Sequence, residues 1–399
     1  MRNTMNERTR IILKSGKDQS LRRFHPWVFS GAIKKIQGPA REGELVDVYD
    51  NKEEFLAVGH FQEGSIAVRV LSFDREEVGE QFWTGKISNA WALRDSLGLV
   101  GDPGTSVFRW INAEGDGLPG LIADYYNGTV VLQMHSVGMY RNLEKIVDAM
   151  KRVGGPLVHT IYHKSESTLP DKPGIGERTG FLLGDRAWGE VVENNHRFHV
   201  NWVEGQKTGF FIDQRENRKL VGAWARDRNV LNMFGYTGGF SVYAMGGGAR
   251  MVHSVDSSEK AVEMTRANME LNFPGDARHE AYARDAFTFM KGIGGRYNLI
   301  ILDPPAFAKH QNVLHNALQG YKRLNQVAFE QLAPGGILFT FSCSQAVSRE
   351  NFRKSVFAAA ANARRKVRIL YQLSQPGDHP ISIFHPEGEY LKGLVLHVE

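Results

Sequence analysis

One cysteine, Cys343, is all that the 399 residues contain. That excludes an internal disulfide and a zinc site built on cysteine, and it fits a reducing compartment, here expected to be the cytoplasm. No run approaches the roughly 20 apolar residues that a membrane helix needs. The opening Met1-Arg2-Asn3-Thr4-Met5-Asn6-Glu7-Arg8 has no apolar stretch of signal-peptide type, so a membrane is not an expected partner. The fourteen histidines offer one H-x-x-x-H spacing, His159–His163, and two H-x-E spacings, His385–Glu387 and His397–Glu399; these isolated pairs complete no set of three ligands, and no metal is expected. The glycine-rich turn at Gly235 to Gly239 has neither the G-x-G-x-x-G spacing of dinucleotide sites nor a Walker lysine.

The composition is that of a globular protein, with 42% hydrophobic and 23% charged residues. A chain of 399 residues is too long for one core and predicts two or three domains. The net charge of +5 is unevenly spread. Residues 2–41 carry ten Lys/Arg against Glu7 and Asp18, residues 42–80 three against eleven Asp/Glu, and residues 349–368 seven against Glu350. Basic blocks separated by acidic ones suit a surface that meets a polyanion, and equally suit solvated helix faces.

Three textures divide the chain. Residues 9–97 read as short strands with turns (46–49, 55–59, 66–71) and a helix near 80–97, a small β-barrel. Residues 98–203 read as strand, strand, helix, strand, strand, an α+β domain: a hairpin of 120–125 and 129–134 around Asn127-Gly128, a helix near 139–153, a strand at 158–162, a Pro/Gly-rich loop at 170–176 and strand pattern over 189–203. From 204 to 399, strands at 229–234, 251–256, 278–283, 297–303, 335–342 and 366–373 alternate with helical patterns and close with 389–398. That alternation predicts an α/β domain with a doubly wound parallel sheet.

Strand 229–234 runs into Gly235-Tyr236-Thr237-Gly238-Gly239, a glycine-rich turn opening a helix. Such a turn lets a ligand approach the backbone and offers it helix N-terminal amides. Asp256 ends the next strand, placed for ribose hydroxyls. Arg284-Asp285-Ala286-Phe287 follows the third strand, with a carboxylate for an adenine amino group. This pattern resembles the class I methyltransferase domain. The resemblance implies S-adenosyl-L-methionine as cofactor, with Phe234, Gly235, Tyr236, Thr237, Asp256, Ser257, Asp285, Ala286 and Asp303 as cofactor-binding candidates.

Strand 297–303 ends in Asp303-Pro304-Pro305, and strand 335–342 ends beside Cys343. If the two strands are neighbours, a thiol and a carboxyl meet at the carboxyl edge, where chemistry collects in open α/β sheets. The alternative is that Cys343 is a small apolar core residue. A thiolate adding to C6 of a pyrimidine makes C5 nucleophilic, and a protonated Asp303 at N3 would stabilise the charge that develops. Asp303 and Cys343 are therefore the catalytic candidates.

Gly205-Gln206-Lys207-Thr208-Gly209-Phe210-Phe211-Ile212-Asp213-Gln214-Arg215, Asn232-Met233-Phe234-Gly235-Tyr236-Thr237-Gly238-Gly239, Asp303-Pro304-Pro305-Ala306-Phe307 and Ser342-Cys343-Ser344 resemble the RlmI-type bacterial 23S rRNA cytosine-5 methyltransferases over nearly the whole chain. Arg22-Arg23-Phe24-His25-Pro26-Trp27 resembles the start of that family's N-terminal PUA domain. The resemblance implies a PUA β-barrel, a central EEHEE domain and a Rossmann-like methyltransferase domain. It adds Gln206, Thr208, Phe210 and Asp213 as cofactor contacts, and Pro304, Phe307 and Lys309 as substrate contacts. The partner implied is 23S rRNA or its fragments, with a homodimer compatible. Ala306 in place of an aromatic after Asp303-Pro304-Pro305 weakens an exocyclic-amine reading. A guanine (N7 or N2) or other base methyltransferase with a spectator Cys343 is the enzyme alternative, and a non-catalytic RNA-binding assembly factor the other.

Overall fold

The structure is a computed structural model describing residues 8–169, 175–307 and 313–399. Its chain forms two units: Met1–Gly189 with Asn201–Gly209 and Gly377–Gly388, and Glu190–Val200 with Phe210–Pro376 and Glu389–Glu399.

The first unit opens with a six-stranded sheet of β1 (Thr9–Leu13), β2 (Trp27–Phe29), β3 (Ile33–Gln37), β4 (Leu45–Tyr49), β5 (Phe55–Phe61) and β6 (Ile66–Ser72), in the order β2-β6-β5-β4-β1-β3. Alternation in β4 turns Val46 and Val48 into a core with Ile11, Leu13, Ala57 and Val68. At Gly59 a Cβ would sit 2.3 Å from the Arg69 carbonyl oxygen, so only glycine fits where β5 meets β6.

The five-stranded sheet has the order β11-β10-β9-β8-β7: β7 (Val107–Asn112), β8 (Leu121–Tyr126), β9 (Thr129–Met134), β10 (Thr160–Lys164) and β11 (Thr179–Leu183). The expected hairpin is present, with Asn127 and Gly128 both at positive φ in the two-residue turn. Helix Glu80–Ser96 shares a core with this sheet through Trp83, Ile87, Trp110 and Ile111. The expected helix over 139–153 is two helices, Val137–Arg141 and Leu143–Gly154. They part at Asn142, whose side chain donates to the Gly138 carbonyl at 2.9 Å. β7 was not expected. The strand pattern over 189–203 does not complete this sheet: it is a separate hairpin, β12 (Trp188–Glu193) and β13 (His196–Asn201). Residues 170–174 of the expected loop lie outside the described residues.

The second unit holds a seven-stranded sheet ordered β16-β15-β14-β17-β18-β20-β19. Its strands are β14 (Asn229–Met233), β15 (Met251–Asp256), β16 (His279–Ala283), β17 (Leu299–Leu302), β18 (Gly336–Ser342), β19 (Val367–Leu373) and β20 (Lys392–Val398). β14 to β18 are parallel, and the central β17 and β18 are buried on both faces, hence their near-continuous apolar runs. The sheet is not parallel throughout, because β20 lies antiparallel between β18 and β19.

A buried ion pair ties the β12–β13 hairpin to the helices behind this sheet. Arg218 donates to both oxygens of Glu193 at 2.8 and 2.7 Å, and to the Phe211 carbonyl at 2.9 Å. The Tyr243 hydroxyl donates to the same carboxylate at 3.0 Å. Arg218→Met would strand a buried carboxylate and should lower the unfolding free energy by about 3–5 kcal/mol in urea titrations, most of it recovered by adding Glu193→Leu.

Candidate active site

Parallel register sets the line-up at the carboxyl edge. Met233 pairs with Val255 on one side and Leu302 on the other, so Phe234 lies between Asp256 and Asp303. Asp256 pairs with Ala283, two residues before Asp285. Leu302 pairs with Thr340, so Asp303 and Cys343 leave adjacent strand ends. Across the edge the order is Asp285, Asp256, the Gly235 turn, Asp303 and Cys343.

The Gly235 turn is held in an uncommon shape. Phe234 (φ 61°), Tyr236 (φ 46°) and Gly238 (φ 78°) all sit in the left-handed region, which costs non-glycine residues about 1–2 kcal/mol each. Its polar groups are held from several sides. The Gly235 amide donates to the Val255 carbonyl at 3.1 Å and the Tyr236 amide to Asp256 Oδ2 at 3.0 Å. Thr265 Oγ1 and Asn268 Nδ2 donate to the Tyr236 and Thr237 carbonyls, both at 2.9 Å. Thr237 is buried.

Asp256 Oδ1 accepts the Ser258 amide at 2.9 Å, so each oxygen takes one backbone donor and keeps lone-pair capacity for a hydroxyl. Ser257 beside it is exposed. Asp285 caps helix Ala286–Met290, its Oδ1 accepting the Thr288 amide at 2.8 Å. Those bonds from Thr288 hold its carboxyl below the ordinary value, and Ala286 is buried behind it.

The Gln206–Arg215 segment is divided. Gln206 and Thr208 belong to the first unit, Phe210 and Asp213 to the second. Gln206 is exposed, its carbonyl taking the Gly209 amide at 2.8 Å. The Thr208 hydroxyl is engaged inside its own unit, donating to Asp124 Oδ2 at 2.6 Å and accepting from Tyr126 Oη at 2.9 Å. The Phe210 ring packs between Phe198 and the Arg218 guanidinium, 4.6 Å from its centroid. Asp213 is buried and accepts the Tyr390 hydroxyl at 2.8 Å. The side chains of Thr208 and Phe210 thus have packing and hydrogen-bond partners within their own units.

Cys343 is half-buried, with Sγ 3.9 Å from the Pro304 carbonyl oxygen. The thiol thus lies against the Asp303-Pro304-Pro305 turn. Ser342 before it donates to the Tyr321 hydroxyl at 2.9 Å. Phe307 lies on the Tyr321 ring (centroids 4.6 Å apart) and so close to Gly320 that a Cβ there would come within 2.9 Å of it. One face of Phe307 is thereby covered. Pro304 is buried, and Lys309 lies outside the described residues.

Lys392, which sequence reasoning missed, lies at the same edge. Because β20 is antiparallel, its first residue pairs with Ser342 at the carboxyl end of β18. The ammonium is 3% exposed and donates to the Ser344 carbonyl at 2.6 Å. Burial lowers its pKa to about 8, against the opposing pull of Cys343 and Glu389. The signal available was a lone lysine opening the apolar run Gly393-Leu394-Val395-Leu396.

A family model described as S-adenosylmethionine-dependent methyltransferase matches residues 180–381, and one described as a PUA-like domain matches residues 11–73. A Tolumonas auensis protein named ribosomal RNA large subunit methyltransferase I is 39% identical over 396 residues, covering 97% of this chain and 99% of its own. Its Aeromonas salmonicida namesake is 40% identical over 393 residues, covering 97% and 98%. The chain belongs to the ribosomal RNA large subunit methyltransferase I family. A Streptococcus mutans protein described as a SAM-dependent methyltransferase shares the fold at 22% identity, with a TM-score of 0.84 over 98% of this chain and 100% of that one.

The methyltransferase cofactor is S-adenosylmethionine, and the donor set at the carboxyl edge fits it. Two carboxylates flank an amide-rich turn, Asp256 with spare lone pairs and Asp285 exposed. In Asp256→Asn the amide group would face a backbone N–H that now meets an oxygen; calorimetric titration should give S-adenosylmethionine affinity about tenfold weaker or worse. Gly238→Ala should weaken it similarly, since a Cβ there would come 2.7 Å from Thr265 Cγ2 at positive φ.

Proposed function

We propose that this methyltransferase acts on C5 of cytosine in 23S rRNA through a covalent bond between Cys343 Sγ and C6. The observation that carries the reading is the Cys343 thiol against the Asp303-Pro304-Pro305 turn, 3.9 Å from the Pro304 carbonyl, at the sheet edge where the cofactor candidates Asp256 and Asp285 also lie. The full-length relatives named ribosomal RNA large subunit methyltransferase I support the rRNA part.

Cys343 as thiolate forms the S–C6 bond, and the ring's C5–C6 π electrons move to C5 and N3. Asp303, protonated, donates a hydrogen bond at N3 where negative charge gathers. When bound, S-adenosylmethionine supplies an electrophilic methyl group to C5. Loss of the C5 proton to water or a neighbouring base then restores the double bond and breaks S–C6, returning the thiolate. A thiol of pKa near 8.5 is only a few per cent ionised at neutral pH, and the buried Lys392 ammonium supplies a nearby positive charge favouring ionisation. Below about pH 8 that charge is present; above it the lysine becomes neutral and the assistance fades.

The barrel supports an RNA partner. Arg23, Lys34 and Lys35 are exposed on the barrel, as are the rings of Phe24 and Phe29, a mixture of charge for phosphates and rings for bases. A base inside a duplex would have to be flipped out at a few kcal/mol.

Methylation of rRNA from cells lacking this protein, followed by nucleoside mass spectrometry, should yield 5-methylcytidine; methylguanosine as the product would end the reading. RNA carrying 5-fluorocytidine should trap an adduct at Cys343, and Cys343→Ala should abolish both adduct and turnover. Lys392→Met should slow iodoacetamide alkylation of Cys343 about tenfold at pH 7.

A further inference from the structure

Between β19 and β20, residues 377–388 leave the methyltransferase sheet and belong to the first unit. Their docking there is specific. The Asp378 carbonyl accepts from buried Arg94 at 2.7 Å, its carboxylate accepts the Arg109 amide at 2.9 Å, and the Pro380 carbonyl accepts Asn112 Nδ2 at 2.9 Å. A Cβ on Gly115 would come 1.9 Å from that Pro380 oxygen. This docking carries His385 and Glu387 to His25, at the opposite end of the sequence.

We propose that His25, His385 and Glu387 form a binding site for a divalent transition-metal ion of the zinc class. One ligand atom from each lies within 4.8 Å of the others, the one such cluster among the described residues. The Glu387 carboxylate faces both rings, with Oε1 3.5 Å from His25 Nε2 and Oε2 3.7 Å from His385 Nε2. Ligands on a tetrahedral ion with bonds of 2.0–2.1 Å stand roughly 3.3 Å apart, so little movement is needed.

The independent sign is His385 itself. It is 3% exposed, and neither ring nitrogen has a hydrogen-bond partner. A buried polar group left unpaired calls for an ion or water to satisfy it. The Trp27 ring holds the plane of His385, with centroids 4.3 Å apart. His25 Nδ1 lies 3.4 Å from the Trp27 carbonyl and 3.2 Å from the Trp27 amide. That amide donates to Nδ1, so a metal on Nε2 would move the ring proton to Nδ1 and exchange the amide bond for one to the carbonyl.

Two imidazoles and one carboxylate select zinc, cobalt, nickel or copper over magnesium or calcium, which take oxygen ligands. Glu387 is half-exposed, so a fourth position opens to solvent. The ion would clamp residues 377–388 to the start of β2, bracing the exposed rings of Phe24, Phe29 and Phe384. Sequence spacing shows only the His385-Pro386-Glu387 part of this site, since His25 lies near the other end of the chain.

The test uses untagged full-length protein in a Cys343→Ser background, so that the thiol cannot contribute, stripped with EDTA and titrated with zinc chloride against a chromophoric chelator. One Zn2+ per chain should bind, about tenfold more weakly or worse in His385→Ala and in Glu387→Gln. Cobalt chloride should give a visible ligand-field band that His385→Ala abolishes. Glu387→Gln changes an exposed side chain and should keep the wild-type circular dichroism, so its result counts even if His385→Ala unfolds. Absence of stoichiometric zinc, or zinc affinity unchanged in Glu387→Gln, overturns the proposal.

Discussion

The parallel pairing of β14 with β15 and β17, and of β17 with β18, is the constraint from which the active site follows. Each pairing advances the edge by one strand, about 4.8 Å, and the residue after each strand inherits its place. Asp256, Phe234 and Asp303 stand side by side because Val255, Met233 and Leu302 are in register. Thr340 opposite Leu302 then sends Ser342 and Cys343 past the Asp303-Pro304-Pro305 turn. A slip of one residue in β17 or β18 would exchange the side chains packed on the sheet's two covered faces, so the packing of Ile300, Ile301, Leu338 and Phe339 guards the position of the thiol. Core packing and site geometry are the same fact here.

Antiparallel β20 adds what a parallel strand could not. A parallel strand would present its last residue at the carboxyl edge, whereas β20 presents its first. Lys392 thereby reaches the Ser344 carbonyl under the cysteine turn while Gly393, Leu394 and Val395 continue into the core. Gly393 admits the Phe341 ring, to which a Cβ would come within 2.6 Å. A buried ammonium is expensive unless something nearby uses its charge, and Cys343 and Glu389 both raise its pKa against the burial that lowers it.

The alternation of strand and helix in the second unit was legible because buried parallel strands are continuous apolar runs, and each expected strand is present. The Asn127-Gly128 turn was legible because two successive positive φ angles admit few residues. Strand direction was not, since an apolar run carries no mark of polarity, and Lys392 was lost with it. β7 was missed because its run is interrupted by Arg109, whose guanidinium is satisfied by Asp124 at 2.9 Å, a partner distant in sequence. The strand pattern over 189–203 was read rightly as strand and assigned to the wrong sheet, because the Arg218–Glu193 pair that claims it joins residues 25 apart. His25 and His385 show the same limit at its widest.

The strain in the Gly235 turn is the remaining clue to how the site works. Phe234 and Tyr236 would relax toward negative φ if their neighbours allowed it. They do not, because Asp256 holds the Tyr236 amide, Val255 the Gly235 amide, and Thr265 and Asn268 the following carbonyls. Relaxation of one residue would break bonds to two strands and a helix. The turn is therefore formed before any ligand arrives, and a cofactor meeting it need not spend affinity on ordering it. A strained loop without such ties would gain stability by opening; here opening leaves buried polar groups unpaired, which costs more than the strain it relieves.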